Sequence, residues 1–222
     1  MLQEKIKLPF LAASCAVLLI CSCEKDDQDD NQVTPPPIVY DNYSQLRVGN
    51  YWIYQRFEVD SLGNGTPTSV YDSCYVEKDT LINNQVYFKV YRPQPASPNQ
   101  SYSYLRDSLH YTVNPLGEIV FSSLDFTTIF QDQYFINGID TMHRYTTRMA
   151  DQNLLVSTPA GNLVTSNFKK NYEMFGGMAV NGLNRPINTR YTKDVGMVTE
   201  TLIFFSAQTT YFERRLVSYH LN

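Results

Sequence analysis

Residues 51–60 read Tyr-Trp-Ile-Tyr-Gln-Arg-Phe-Glu-Val-Asp, and this stretch sets the fold class. The side chains alternate with a period of two, which is the period of a β-strand. One face is expected to carry Tyr51, Ile53, Phe57 and Val59. The other is expected to carry Trp52, Tyr54, Arg56, Glu58 and Asp60. The pattern predicts a strand with one buried face and one partly wet face.

Glycine and asparagine residues mark the chain reversals on either side of the next strand. Gly63-Asn64-Gly65 can supply the positive φ values of a tight turn, and strand-like sequence resumes over residues 69–77. Asn83-Asn84 is a second turn signal of the same kind. The stretch from residue 51 to residue 84 therefore predicts a β-hairpin followed by another reversal.

Strand patterns continue to the end of the chain, which has 17 Tyr and 12 Phe. Further strands are predicted over residues 85–92, 101–106, 109–113, 118–122, 127–137, 142–148, 153–158, 163–172, 188–193, 197–206 and 210–221. Phe168, Tyr172 and Phe175 also fit a short helix before Gly176-Gly177, but a strand is preferred there. We predict a mainly β fold: an antiparallel meander forming a half-open barrel or a two-layer sheet, with at most one or two short helices.

The first 22 residues have the organisation of a signal peptide. Lys5 and Lys7 precede an apolar run over residues 8–20, which is too short to span a membrane. Ser22 is a small residue directly before Cys23, as a lipoprotein signal peptidase requires. Residues 1–22 are therefore predicted to be removed, leaving Cys23 as the acylated first residue of the mature protein. An uncleaved N-terminal anchor is the alternative.

The acidic stretch after Cys23 resembles the export signal of surface-exposed lipoproteins in the Bacteroidota. It comprises residues 24–30, Glu-Lys-Asp-Asp-Gln-Asp-Asp. The resemblance implies an outer-membrane lipoprotein that carries palmitate or a similar acyl chain and faces the cell exterior. The alternative is a solvated charge run on a periplasmic lipoprotein.

Residues 23–42 have the composition of a tether, acidic at first and ending near Pro35-Pro36-Pro37. The first 30 residues hold three of the 18 Lys and Arg but six of the 22 Asp and Glu. Residues 31–222 consequently carry 15 basic and 16 acidic side chains, so nucleic acid is an unsuitable partner. Residues 43–222 are predicted to form one domain.

Only one cysteine is expected to remain a thiol in the mature protein. Cys15 and Cys21 leave with the leader and Cys23 is acylated, so Cys74 has no partner for an intramolecular disulfide. Cys74 lies in strand-like sequence with Val70 and Val76, which predicts a small buried hydrophobic residue rather than a nucleophile.

Three motifs in the body are similar to a loosely defined set of extracytoplasmic β-rich domains of unknown function. They begin at Val48-Gly49-Asn50, Thr158-Pro159-Ala160 and Lys193-Asp194-Val195. The resemblance implies an unclosed half-barrel sheet like that of lipoprotein-carrier proteins, and it implies no activity. In the middle motif, Asn162-Leu163 departs from the expected small residue followed by Phe.

The sequence holds no recognisable catalytic or metal-binding motif. His110, His143 and His220 are each isolated, and no cofactor or metal is predicted. A glycosidase needs only two carboxylates roughly 5 to 10 Å apart. The first candidates for such a pair are Glu58 with Asp60, Glu173 and Glu200. Charged strand residues usually line a wet face, so the protein is predicted not to be an enzyme.

Four Asp-Ser or Asp-Thr pairs followed by an apolar residue resemble the general O-glycosylation motif of the Bacteroidota. The acceptors would be Ser61, Thr80, Ser108 and Thr141. All four fall at predicted turns or strand starts, where a sugar could be tolerated. The alternative is that these pairs simply favour turns.

The predicted function is a lipid-anchored binding or accessory module of the cell envelope. Its concave, aromatic sheet face would engage a glycan, an apolar ligand or another envelope protein. The candidate contacts are Trp52, Tyr54, Tyr102 and Tyr104. A surface-polymer hydrolase and a structural component of an outer-membrane assembly are the alternatives.

Replacing Cys23 with Ala is expected to abolish labelling with radioactive palmitate and to block removal of residues 1–22, because the lipoprotein signal peptidase needs the acylated thiol. Cys21→Ser is the matched control and should leave both unchanged, because Cys21 departs with the leader. Palmitate incorporation into Cys23→Ala would contradict the assignment.

Overall fold

Twelve β-strands make up nearly all the regular structure of the computed structural model, which describes residues 38–95, 98–181, 184–202 and 210–222. The predicted leader, Cys23 and the tether up to residue 37 lie outside the described residues. The strands are β1 (Tyr51–Val59), β2 (Gly65–Ile82), β3 (Gln85–Tyr91), β4 (Tyr102–Ser108), β5 (Tyr111–Val113), β6 (Ile119–Ser122), β7 (Gln131–Asn137), β8 (Asp140–Thr158), β9 (Gly161–Met174), β10 (Asn184–Thr192), β11 (Gly196–Leu202) and β12 (Tyr211–His220).

All twelve strands belong to one antiparallel sheet, in the order β6-β5-β4-β3-β2-β1-β12-β11-β10-β9-β8-β7. Two consecutive meanders, β1 to β6 and β7 to β12, are joined at the centre by the pairing of β1 with β12. The described residues contain no α-helix and only two short 3₁₀ helices, Pro98–Gln100 and Gly176–Asn181. The predicted antiparallel meander with one or two short helices is confirmed.

The sheet is curled because a short link joins its two edge strands. Residues 123–130 connect β6 to β7 and can span at most about 30 Å when fully extended. Twelve strands laid flat at a spacing of about 4.8 Å would hold those edges about 53 Å apart. The curl brings the Phe121 ring of β6 to 4.7 Å from the Tyr191 ring of β10, measured between centroids. The two edges do not pair, so the sheet stays open.

Several predicted boundaries differ from the observed ones for local reasons. The two strands predicted over 142–148 and 153–158 are one strand, β8, whose pairing with β9 is irregular between Ala150 and Leu154. Strand β9 runs to Met174, so the strand preferred over a helix near Phe168 is confirmed. Asn83 and Asn84 both have positive φ values, 51° and 60°, as the predicted turn requires.

The predicted assignment of faces in β1 is wrong for its first half. Trp52 and Tyr54 are buried, whereas Tyr51 is 44% exposed. The buried positions then change to Phe57 and Val59 in the second half of the strand. The cause is an irregular pairing with β2 between Gln55 and Phe57, which the alternation of β1 alone cannot reveal.

Trp52 and Tyr54 lie in the core and anchor the backbone of the β10–β11 turn. The Trp52 indole Nε1–H donates to the Val195 carbonyl at 2.7 Å, and the Tyr54 hydroxyl donates to the Met197 carbonyl at 2.8 Å. Gly196, between these two acceptors, has φ of +102°, and a Cβ there would lie 3.0 Å from Trp52 Nε1. Glycine is therefore needed at this position for both its conformation and its small size.

Gly196→Ala is expected to lower the free energy of unfolding by about 2 to 4 kcal/mol, from backbone strain plus overpacking against Trp52. Gly63→Ala is the matched control, since Gly63 has φ of +88° but a Cβ added there would have no neighbour within 4 Å. It should cost only about 1 kcal/mol of backbone strain. Urea unfolding measures the free energy of unfolding of both variants. An equal loss of stability in the two would contradict the role assigned to Trp52.

Candidate functional site

The four aromatic residues predicted to contact a ligand do not form one surface. Trp52 and Tyr54 are 5% and 1% exposed and belong to the core. Tyr102 and Tyr104 are 45% and 36% exposed on β4, which buries Leu105 instead. The structure therefore places Trp52 and Tyr54 inside the protein and Tyr102 and Tyr104 on its surface.

Tyr102 ends a row of tyrosines in direct register across β1 to β4. Its other members are Tyr51, Tyr75 and Tyr91. The Tyr91 ring lies 4.9 Å from that of Tyr75 and 5.1 Å from that of Tyr102, while the Lys89 ammonium lies 3.9 Å from the Tyr102 centroid. Because these rings contact one another or a cation, the row stabilises strand pairing.

The concave face is filled where Trp52 and Tyr54 lie. The remaining cavity has a volume of about 30 Å³ and is lined mainly by core side chains, with Arg92 at its wall. That volume is close to the share of one water molecule in the liquid. The concave face cannot hold a sugar or a lipid at this position without opening.

A charged cluster is buried beside that cavity. Arg214 is fully buried, and its Nε lies 3.2 Å from a Glu200 carboxylate oxygen. The Arg92 guanidinium lies 3.5 Å from the other Glu200 oxygen. Arg214 also contacts the Cys74 sulfur at 3.4 Å and the Pro93 carbonyl. One carboxylate thus compensates two guanidinium groups in a poorly hydrated place.

Cys74 is 2% exposed, and burial raises the pKa of its thiol to about 11. The thiol is therefore protonated at neutral pH, and a protonated thiol is a weak nucleophile. The prediction of a buried, hydrophobic cysteine agrees with this environment.

The carboxylates proposed for glycoside hydrolysis lie in separate environments. Glu200 belongs to the buried cluster, and Glu173 faces Arg144 at 3.8 Å. Asp60 accepts hydrogen bonds from the backbone N–H groups of Leu62 and Asn64 in the β1–β2 turn. Glu58 is exposed on β1, beside that turn. No described contact brings two of these carboxylates into a shared recess.

A recess of about 170 Å³ lies between the N-terminal segment (residues 40–43) and the β4–β5 hairpin. We call it the polar recess. The side chains that matter for its chemistry are Tyr40, Asp41, Tyr43, Asp107, His110 and Tyr111. Sequence reasoning missed it, because the proline-rich composition assigned residues 40–42 to the tether. The compact unit in fact begins at Val39.

Three contacts hold the N-terminal segment in place. The Asp194 N–H donates to the Asn42 carbonyl at 2.8 Å, and the Lys193 ammonium lies 2.7 Å from Asp41. The Tyr43 ring packs 5.0 Å from the Phe121 ring. The Lys193-Asp194 pair, singled out in the sequence as part of a motif, therefore holds one wall of the polar recess.

The orientation of His110 follows from its partner Ser122. The Ser122 hydroxyl oxygen accepts from the backbone N–H groups of Leu124 and Asp125, at 3.2 and 2.9 Å. Its own proton is then available to His110 Nδ1, 3.1 Å away. This arrangement favours the tautomer with hydrogen on Nε2, which leaves His110 one donor for a ligand.

Both carboxylates of the polar recess already have hydrogen-bond or ion-pair partners within the protein. Asp107 accepts from the hydroxyls of Ser44 at 2.5 Å and Thr112 at 2.9 Å, one on each oxygen. Asp41 pairs with Lys193. Each carboxylate retains lone pairs that can accept a further hydrogen bond.

The other two histidines lie elsewhere. His143 stacks on Phe135, and burial together with the Lys170 charge lowers its pKa. His220 stacks on Tyr51. Within the described residues, no group of three or more His, Cys, Asp and Glu side chains is arranged to hold a metal ion.

The four proposed glycosylation acceptors differ in exposure. Ser61 is exposed in the β1–β2 turn, whereas Thr80, Ser108 and Thr141 are partly buried on β2, β4 and β8. Ser61 follows Asp60, whose carboxylate closes that turn. Modification of these residues stays a prediction.

No family model and no curated protein matches the chain. One similar solved structure is a candidate lipoprotein of Parabacteroides distasonis, 12% identical with a TM-score of 0.40, covering 82% of this chain and 100% of that chain. Another is a candidate exported protein with a YmcC-like fold from Bacteroides fragilis, 10% identical with a TM-score of 0.33. The match covers 81% of this chain and 99% of that chain. Similarities this low assign no function to the chain.

No helix among the described residues is long and apolar enough to cross a membrane.

Glu200→Gln is expected to lower the free energy of unfolding by about 3 to 5 kcal/mol, because Arg92 and Arg214 lose their buried counter-charge. Glu77→Gln is the control, since Glu77 pairs with Lys89 near the surface and should cost at most about 1 kcal/mol. Chemical denaturation of both variants checks the difference. Similar losses would show that the buried cluster contributes no more than a surface pair.

Proposed function

We propose that the protein is a lipid-anchored lipoprotein of the cell envelope that binds, without hydrolysing, one sugar residue of a glycan in the polar recess. The supporting observation is the convergence of two carboxylates, an imidazole donor and aromatic rings around about 170 Å³. The predicted acylation of Cys23 and the acidic stretch after it support an outer-membrane location facing the exterior.

The chemistry of the polar recess suits a neutral, hydroxyl-rich ligand. Sugar hydroxyls can donate to the free lone pairs of Asp41 and Asp107 and accept from His110 Nε2–H. The apolar face of a sugar ring can pack on Tyr40 or Tyr111. Pockets for drug-sized ligands have volumes of roughly 300 to 1,000 Å³, so this smaller recess suits a single sugar residue.

The carboxylate environments favour binding over hydrolysis. A glycosidase requires one carboxylic acid that stays protonated to donate to the leaving group. Each oxygen of Asp107 accepts a hydrogen bond from a hydroxyl group of the protein, and the Asp41 carboxylate pairs with Lys193, so both side chains already serve as acceptors. Neither side chain is therefore placed to act as the general acid.

Tyr40→Ala is expected to weaken binding of the responding sugar about threefold to tenfold, because the loss of one stacking ring removes roughly 0.5 to 1.5 kcal/mol. The measurement is calorimetric titration of the mature protein in detergent with glucose, galactose, mannose and N-acetylglucosamine, and with short oligomers of each. Reducing-end assays on the oligomers should show no cleavage.

Tyr134→Ala is the matched control, since Tyr134 is 58% exposed on β7 and does not line the polar recess. It should bind like the unmodified protein. The proposal fails if no sugar in the set binds, or if Tyr40→Ala and Tyr134→Ala have equal affinities.

A further inference from the structure

Strand β7 is an edge strand whose side chains are almost all exposed. Its outer edge pairs with no strand of the described residues. Tyr134, Phe135 and Ile136 are 58%, 54% and 58% exposed, although apolar residues of a sheet are normally half buried. The strand contains neither lysine nor proline, the residues that commonly protect an edge from pairing.

The other edge strand, β6, is covered by the curl of the sheet. The Phe121 ring lies between those of Tyr43 and Tyr191, at 5.0 and 4.7 Å. The Ser122 N–H contacts the Met149 sulfur at 3.3 Å. Of the two edge strands of the sheet, β6 is thus protected and β7 is open.

We propose that two copies of this chain form a dimer by antiparallel pairing of their β7 strands. A two-fold axis beside Phe135 places Phe135 opposite Phe135 of the second copy. It also places Tyr134 of each copy opposite Ile136 of the other copy. Aromatic pairs and aromatic with β-branched pairs are favourable across strands.

The same register avoids charge repulsion. Gln133 lies opposite Asn137, and Asp132, the only charged residue of β7, lies opposite Gly138 of the second copy. Asp132 is moreover neutralised by Arg144 on its own chain, at 2.6 Å. The edge is therefore self-complementary in both its apolar and its polar side chains.

The two-fold symmetry of the contact explains why a second copy fits β7 better than an open-ended assembly does. A two-fold contact uses the same strand on both chains, so the dimer leaves neither β7 edge available. If β6 were also open, the same chemistry would lead to filaments. This dimer does not involve the polar recess, and the two proposals can fail independently.

Disulfide cross-linking of the mature lipoprotein in its native membrane tests the register. In Phe135→Cys the two thiols face each other, with Cβ atoms about 5 Å apart. In Gln133→Cys, the control on the same strand, they are about 14 Å apart. Mild oxidation should give at least roughly ten times more covalent dimer from Phe135→Cys, because a disulfide needs Cα atoms within about 7 Å. The body's own thiol, Cys74, is buried.

A second measurement does not depend on disulfide chemistry. In detergent, sedimentation equilibrium should show a dimer whose dissociation constant rises at least about tenfold in Ile136→Lys, since lysine disfavours edge pairing. Leu155→Lys is the control, because Leu155 is 62% exposed and lies in the part of β8 that does not pair with β7.

Three outcomes would overturn the proposal: a monomer at all concentrations, equal cross-linking from Phe135→Cys and Gln133→Cys, or cross-linking of Phe135→Cys to a different protein only. The last outcome would assign β7 to another partner.

Discussion

The short link over residues 123–130 governs the shape of the whole sheet. It joins the two edge strands of a twelve-stranded sheet, and it is far too short to cross that sheet if the sheet were flat. The sheet must therefore curl until β6 lies near β8 and β10. The contact of Phe121 with Tyr191 is the direct result.

The curl determines where a ligand can and cannot bind. It fills the concave side with Trp52, Tyr54 and the buried Arg92–Glu200–Arg214 cluster, and leaves a cavity of only about 30 Å³ there. Space remains near the rim, where the N-terminal segment crosses the β4–β5 hairpin. The same curl covers β6 and leaves β7 open, so the two edge strands of the sheet differ in exposure.

The fold was more predictable than the site, for physical reasons that particular residues show. Alternation and turn residues predict strands and reversals because both are local, and Asn83-Asn84 is a clear example. The buried face of β1 depends on irregular pairing with β2, which is a property of two strands. The polar recess depends on Asp41 and Asn42 contacting Lys193 and Asp194, about 150 residues later in the chain. Composition alone therefore assigned Asp41 and Asn42 to the tether.

Binding of a sugar residue in the polar recess can be measured directly through the three histidines. Imidazole resonances of His110, His143 and His220 can be followed by NMR in the intact protein during titration with a neutral sugar. His110 lines the polar recess, whereas His143 and His220 lie on other strands. We expect the His110 signals to move with saturable dependence on sugar concentration while the other two stay fixed. An unchanged His110, or shifts confined to His143 or His220, would contradict sugar binding at this site.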